Sequence, residues 1–99
     1  MTTMTVQVPS WVKKEEAREE FLKNLRGKAL LKMEFYRSKI MPFERKYGLS
    51  FTEFREKVHL ASEENFEEWD DLMEWEAYHT AFREWESHYQ ELVHASTDR

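Results

Sequence analysis

Residues 64–92 read ENFEEWDDLMEWEAYHTAFREWESHYQEL, and this stretch decides the fold. It places ten acidic residues against one basic residue, Arg83. Large apolar residues repeat in it every seven positions, in two series offset by three: Trp75, Phe82, Tyr89 and Tyr78, Trp85, Leu92. Such a repeat predicts one long helix with an aromatic seam. Because coiled coils prefer aliphatic residues in their seams, we interpret this one as a broad packing face.

Helix boundaries can be predicted on both sides of this stretch. Ser62 is a suitable N-cap for a last helix near 63–93, with two glutamates in its first turn. Upstream, Ser50 and Glu53 have the spacing of a capping box, which predicts a short helix near 50–59. Gly48 before it has the position of a left-handed C-cap.

The first part of the chain predicts a strand and a helical region. Met4, Val6 and Val8 alternate with polar residues, as in a short half-buried strand. Helical periodicity then covers 11–40, in one or two segments, with Ser10 as the N-cap and a break or kink at Pro42. We expect an N-terminal strand or arm (1–9), one helical domain (10–94) and a disordered tail (95–99).

The composition favours a small all-α bundle with a thin core. The chain has 99 residues, of which 35% are charged and 15% aromatic. Rings bury much area per residue, so we expect folding, with the core completed by a partner or by dimerisation. The absence of cysteine excludes disulfides and thiolate metal sites. Without a signal-like segment or a long apolar run, the default expectation is a cytoplasmic protein.

The distribution of charge indicates an electrostatic partner. Residues 1–59 carry a net charge of +5, whereas residues 60–99 carry −10. An acidic helix with interleaved rings is complementary to a basic cleft, such as a ribonuclease active site. Rings would anchor the contact and carboxylates would steer it. The candidate anchors are Trp69, Trp75, Tyr78 and Trp85, and the candidate steering acids are Glu68, Asp71, Glu76 and Glu86.

Catalytic and metal-binding interpretations have weaker signals. The sequence has no glycine-rich phosphate loop and no nucleophile in a recognisable context, which argues against an enzyme, and we expect no cofactor. Glu76 and His79 have the E-x-x-H spacing of ferritin-like carboxylate sites, to which Glu34 could add a ligand in a dimer. In a helix this rich in glutamate, the spacing also arises by chance.

A DNA-binding alternative comes from the N-terminal end. A strand followed by two helical segments is the order found in ribbon-helix-helix dimers, whose alternate strand residues face the major groove. Here those residues would be Thr3, Thr5 and Gln7, none of which is basic. A strand that docks on a partner or pairs with its copy explains the same pattern.

Two stretches also resemble a known family. Residues 43–54, FERKYGLSFTEF, followed by 65–75, NFEEWDDLMEW, are similar to small helical proteins of prokaryotic toxin–antitoxin loci. The strand ending in Val8-Pro9 is similar to the opening of several antitoxins. Residues 57–64 lack the glycine-containing turn expected in relatives. The resemblance implies an antitoxin or accessory protein that binds a cognate toxin, and it carries over no catalytic residues.

Overall fold

The computed structural model describes residues 9–97, and over this range it contains three α-helices: α1 (Lys14–Tyr47), α2 (Phe51–Leu60) and α3 (Phe66–Thr97). α1 and α3 form a long antiparallel hairpin, and α2 packs near the end where the two are connected. The molecule measures 67 × 24 × 21 Å. The predicted all-α class is confirmed, whereas the strand predicted at 4–8 lies outside the described residues.

α1 is one continuous helix of 34 residues, longer than the predicted region of 11–40. Ser10 does not cap it, because residues 9–12 form a turn closed by the Val12 amide, which donates to the Pro9 carbonyl at 3.0 Å. Pro42 lies inside the helix without ending it. Ile40 before it and Tyr47 after it both pack in the core, and this packing offsets the hydrogen bond that proline removes.

The boundary between α1 and α2 forms as predicted. Gly48 ends α1 in the left-handed conformation, with φ 64°, and its amide donates to the Glu44 carbonyl at 2.8 Å. Ser50 and Glu53 complete the capping box: the Glu53 amide donates to Ser50 Oγ at 3.2 Å, and the Ser50 amide donates to Glu53 Oε1 at 2.9 Å. These local bonds turn the chain sharply and place α2 against the hairpin.

α3 begins and ends later than predicted. Its N-cap is Asn65, whose Oδ1 accepts from the Glu68 amide at 3.2 Å, so Ser62 is not the cap. At the other end, the Arg18 guanidinium donates to the Ala95 carbonyl at 3.0 Å and ties the last turns to α1. The tail predicted at 95–99 overlaps the last turn of α3, which ends at Thr97, while 98–99 lie outside the described residues.

The core is concentrated at the α2 end of the hairpin. Its buried members come from all three helices: Ile40, Phe51, Phe54, Val58, Leu72 and Trp75. Toward the open end of the hairpin, the buried apolar residues of α1 are Leu22 and Ala29. The packing is therefore deep where three helices meet and shallow where only two do.

Candidate protein-interaction site

Trp75, a predicted anchor, is a core residue. Its side chain is 0% exposed, and its ring stacks on Phe43 at 5.5 Å and on Phe54 at 5.3 Å between centroids. Phe51 meets it edge-on at 5.8 Å. A ring enclosed by two other helices cannot touch an external partner, so the anchor role predicted for Trp75 was wrong.

The other three predicted anchors are half-buried, at separate places along α3. Trp69 meets His59 of α2 edge-on at 5.3 Å. Tyr78 lies 6.3 Å from the ring of Tyr36 on α1. The ring of Trp85 lies 5.9 Å from the Lys28 ammonium group. The structure therefore does not gather the predicted rings into one surface, because the heptad seam that contains most of them faces α1.

Asp71, a predicted steering acid, is bonded within the protein. Lys46 Nζ lies 2.7 Å from its Oδ2 and 2.8 Å from Glu67 Oε1, and the Tyr47 hydroxyl donates to the same Asp71 oxygen. Burial raises the pKa of Asp71, but the hydrogen bonds from Lys46 and Tyr47 outweigh it, so the pKa lies below its ordinary value. Burial, together with the bond to Asp71, raises the pKa of Tyr47 to about 12.

The remaining predicted acids differ in whether they form ion pairs. Glu68 Oε2 lies 3.2 Å from Lys57 Nζ of α2. Glu86 lies 3.5 Å from Arg83 of the same helix, an exposed pair of the kind that contributes little to stability. Within the described part of the chain, Glu76 is exposed and forms no ion pair.

The structure shows a further exposed surface, outside the predicted site residues, at the corner between α2 and α3. Leu60 is 79% exposed, Phe66 78% and Met73 70%. Phe66 and Met73 are seven residues apart, about two helical turns, so they lie on the same side of α3. The contact between His59 and Trp69 brings the end of α2, with Leu60, beside the start of α3. We call Leu60, Phe66 and Met73 the corner patch.

Carboxylates surround the corner patch. Glu63 and Glu64 lie in the connection before Phe66, and Asp70 lies between Phe66 and Met73; all three are exposed, and none has an ion-pair partner in the described range. The sequence signal was available, because Phe66 and Met73 repeat at seven outside the seam. Trp69 and Leu72, which lie between them in the sequence, point inward, so composition alone did not separate the exposed pair.

The residues of the alternative metal site do not converge. Among the described residues, no group of three or more histidine and carboxylate side chains is arranged to hold a metal ion. His79 stacks on Phe51 at 4.5 Å, and Glu34 is exposed on α1. Burial lowers the pKa of His79, Arg83 and Arg55 lower it further, and Glu76 opposes the shift.

The structure bears only partly on the DNA-binding alternative. Its strand, with Thr3, Thr5 and Gln7, lies outside the described residues. After it, a single helix of 34 residues stands where the alternative requires two short helical segments. Within the described range, no helix has an apolar stretch long enough to cross a membrane.

Comparison with known proteins adds no relative: no protein-family model matches the chain, and neither a curated protein nor a solved structure is significantly similar to it.

Proposed function

We propose that this chain is a non-catalytic protein-binding module, antitoxin-like, which neutralises or scaffolds a basic protein partner such as a ribonuclease-type toxin. The observation that supports the proposal best is the corner patch, where three large apolar side chains stand exposed among unpaired carboxylates. Most of the rings predicted from the sequence lie along the seam, whereas the exposed side chains favour a contact at the start of α3.

The energetics of the corner patch suit recognition. Burying one large apolar side chain contributes about 1.5–3 kcal/mol, and binding energy in interfaces concentrates in a few such residues. Glu63, Glu64 and Asp70 would attract a basic surface from a distance and repel acidic proteins. Apolar contact would therefore provide affinity, and the surrounding charge would provide selectivity and speed of association.

The carboxylates that hold the fold together differ from those left for a partner. Asp71 and Glu68 are bonded to lysines of α1 and α2, so a partner would have to displace those bonds to use them. Asp70 and Glu76 have no such bonds and are exposed. We therefore assign steering to the unpaired acids of α3 and its preceding connection.

The test uses a patch variant and a matched control. Phe66→Ala/Met73→Ala removes two exposed side chains of the corner patch; Leu31→Ala/Met41→Ala removes two exposed apolar side chains of α1. The tagged chain is purified from its native cells, and co-purifying proteins are identified by mass spectrometry. We expect a small basic protein that binds the wild type and the control, and at least ~10-fold less of it on the patch variant, a loss of about 1.4 kcal/mol or more.

The antitoxin function has its own readout. The co-purifying protein, expressed alone, should arrest growth, and co-expression of the wild-type chain should restore it. The patch variant should fail to restore growth although its circular dichroism is unchanged. Equal retention of the partner by the patch variant, or a partner that is acidic, would contradict the proposal.

A further inference from the structure

One side of α1 presents alternating lysine and phenylalanine at a fixed interval. Phe21, Lys28 and Phe35 are seven residues apart, about two turns, so their side chains leave the helix in the same direction. Lys32 and Lys39 follow the last two by four residues and share that side. All five are exposed. We call these five residues the Lys/Phe stripe.

The Lys/Phe stripe lies on the side of the hairpin that α2 leaves open. Arg37 lines the recess beneath α2 together with Phe51 and His79. Arg37 and Lys28 are nine residues apart, about two and a half turns, and so lie on opposite sides of α1. Of the two sides of the hairpin, one is covered by α2 at its closed end, and the other carries the stripe.

The open side also contains an apolar groove between the two long helices. Leu25, Trp85 and Leu92 line it, Lys28 and Glu91 form part of its rim, and its volume is about 400 Å³. It lies toward the open end of the hairpin, where only Leu22 and Ala29 of α1 are buried. Among residues 9–97, no second layer covers the apolar side chains that the two helices present there, and four-helix bundles supply such a layer.

The charges on the open side indicate what covers it. Of the charged residues in α1, ten are basic and six acidic, whereas α3 has nine acidic residues and one arginine. Within the described residues, Lys28, Lys32 and Lys39 have no carboxylate within ion-pair distance. The open side therefore carries unpaired lysines along α1, and the α3 beside them is acidic overall, with Glu91 at the rim of the groove.

Such a face is complementary to a copy of itself. A half-turn about an axis parallel to the helices places α1 of one copy over α3 of the other, and repeats the same contact on the other side. Basic residues then meet acidic residues twice. A uniformly charged partner, such as a nucleic acid or a basic protein, would be attracted by one helix and repelled by the other.

We infer that the chain forms a homodimer through this open side, giving an antiparallel four-helix bundle in which the Lys/Phe stripe of each copy lies against α3 of the other. The rings of Phe21 and Phe35 cover the grooves, and the lysines pair with α3 carboxylates, among them Glu74 and Glu91. Glu74 is three turns from Trp85 and so lies on the same side of α3. None of the three corner-patch residues belongs to the Lys/Phe stripe or lines the groove, and the experiment below tests the two surfaces separately.

A charge-swap experiment tests the arrangement. In Lys28→Glu/Lys39→Glu, α1 and the facing α3 are both acidic; in Glu74→Lys/Glu91→Lys, both are basic at the contact. Masses are measured by light scattering after size exclusion, from about 1 to 100 µM. We expect wild type to approach twice the 12.2 kDa of one chain. Each variant alone should be a monomer, and their equimolar mixture should be a dimer, because both contacts are restored.

Matched controls separate the contact from net charge and from folding. Lys23→Glu/Arg45→Glu makes the same charge change on the other side of α1 and should leave the dimer intact. Circular dichroism should show equal helix content in all variants. A wild-type monomer at 100 µM, a mixture that stays monomeric, or a wild-type monomer that instead binds single-stranded RNA through the lysines would each overturn the inference. Phe66→Ala/Met73→Ala should remain dimeric, so loss of partner binding and loss of the dimer are distinguishable.

Discussion

At the scale of single residues, the sequence does not distinguish rings that face the core from rings that face solvent. Trp75 and Trp85 both lie in α3, each between two glutamates, yet Trp75 is fully enclosed and Trp85 is half-buried. The difference arises from α2, whose Phe51 and Phe54 cover Trp75. Composition supplies the rings, and only the placement of a second helix decides which of them a partner can reach.

Asp71 provides a residue-scale prediction of pH dependence. Because its pKa is lowered on folding, the stability it contributes is present above its ordinary value of 3.8 and is lost as the pH falls below that value. Asp71→Asn should therefore lower the free energy of unfolding at pH 7 by about 1 kcal/mol, as for a hydrogen-bonded pair at a partly exposed site. The difference from wild type should disappear in acid.

Alkaline pH should also weaken this cluster, because here the stabilisation is lost as the pH rises. The pKa of Tyr47 is raised to about 12 and that of Lys46 is also raised, so their contribution is present below their ordinary values and is lost as the pH rises beyond about 10. Thermal unfolding measured from acid to alkaline pH tests both losses of stability. Asp70→Asn, an exposed neighbour, is the control and should change stability by less than ~0.5 kcal/mol. An equal effect of the two substitutions would contradict the assignment.

At the scale of elements, the sequence predicted those helix boundaries that are formed by hydrogen bonds between neighbouring residues. The Gly48 C-cap and the Ser50–Glu53 capping box formed as expected, because each depends on residues within one turn. The continuity of α1 through Pro42 depends on core packing by distant residues and could not be predicted. Asn65 and Ser62 are both capable N-caps, and the sequence alone did not show that Asn65 is the one that starts α3.

At the scale of elements, alanine substitution of the two glycines should change stability in opposite directions. Gly27 lies inside α1 and Gly48 ends it with φ 64°, and an added Cβ at either position meets no atom within 4 Å. Gly27→Ala should stabilise the protein by about 0.5–1 kcal/mol, because alanine restricts the unfolded chain and favours helix. Gly48→Ala should destabilise it by about 1 kcal/mol, because alanine strains in the left-handed region.

Urea unfolding of the two glycine variants measures whether each substitution raises or lowers the free energy of unfolding. Since steric contact is absent at both sites, backbone conformation alone should account for the difference. Stabilisation by both substitutions would mean that α1 does not end at Gly48 in solution. Destabilisation by both would mean that α1 is interrupted near Gly27.

At the scale of the whole molecule, the long acidic helix and the all-α class follow from the sequence, whereas the uneven depth of the core does not. The radius of gyration is 19.6 Å, compared with about 13 Å for a compact chain of this length. Ile40, Phe54 and Trp75 are buried where three helices meet. The sequence shows equal helical periodicity along α1, so it gives no sign that one end of the hairpin is covered on fewer sides.

The decrease in packing depth from the α2 end of the hairpin to its open end predicts unequal local stability along α1. An isolated helix frays at its ends, so residues 40–47, next to the C-terminus of α1, would exchange their amide hydrogens faster than residues 22–29, which lie further inside. Packing predicts the reverse order, because Ile40, Phe43 and Tyr47 contact the core. We expect exchange to be at least ~10-fold slower for 40–47, equivalent to about 1.4 kcal/mol.

Hydrogen exchange followed by mass spectrometry of the Lys28→Glu/Lys39→Glu variant tests this order without a contribution from self-association. The same measurement on wild type at rising concentration should slow exchange at 22–29 more than at 40–47, because the dimer inferred above adds its second layer over the open end. If residues 22–29 are already the better protected in the variant, the core is not concentrated at the α2 end. In that case a two-helix contact is sufficient, and the hairpin requires no second layer for its stability.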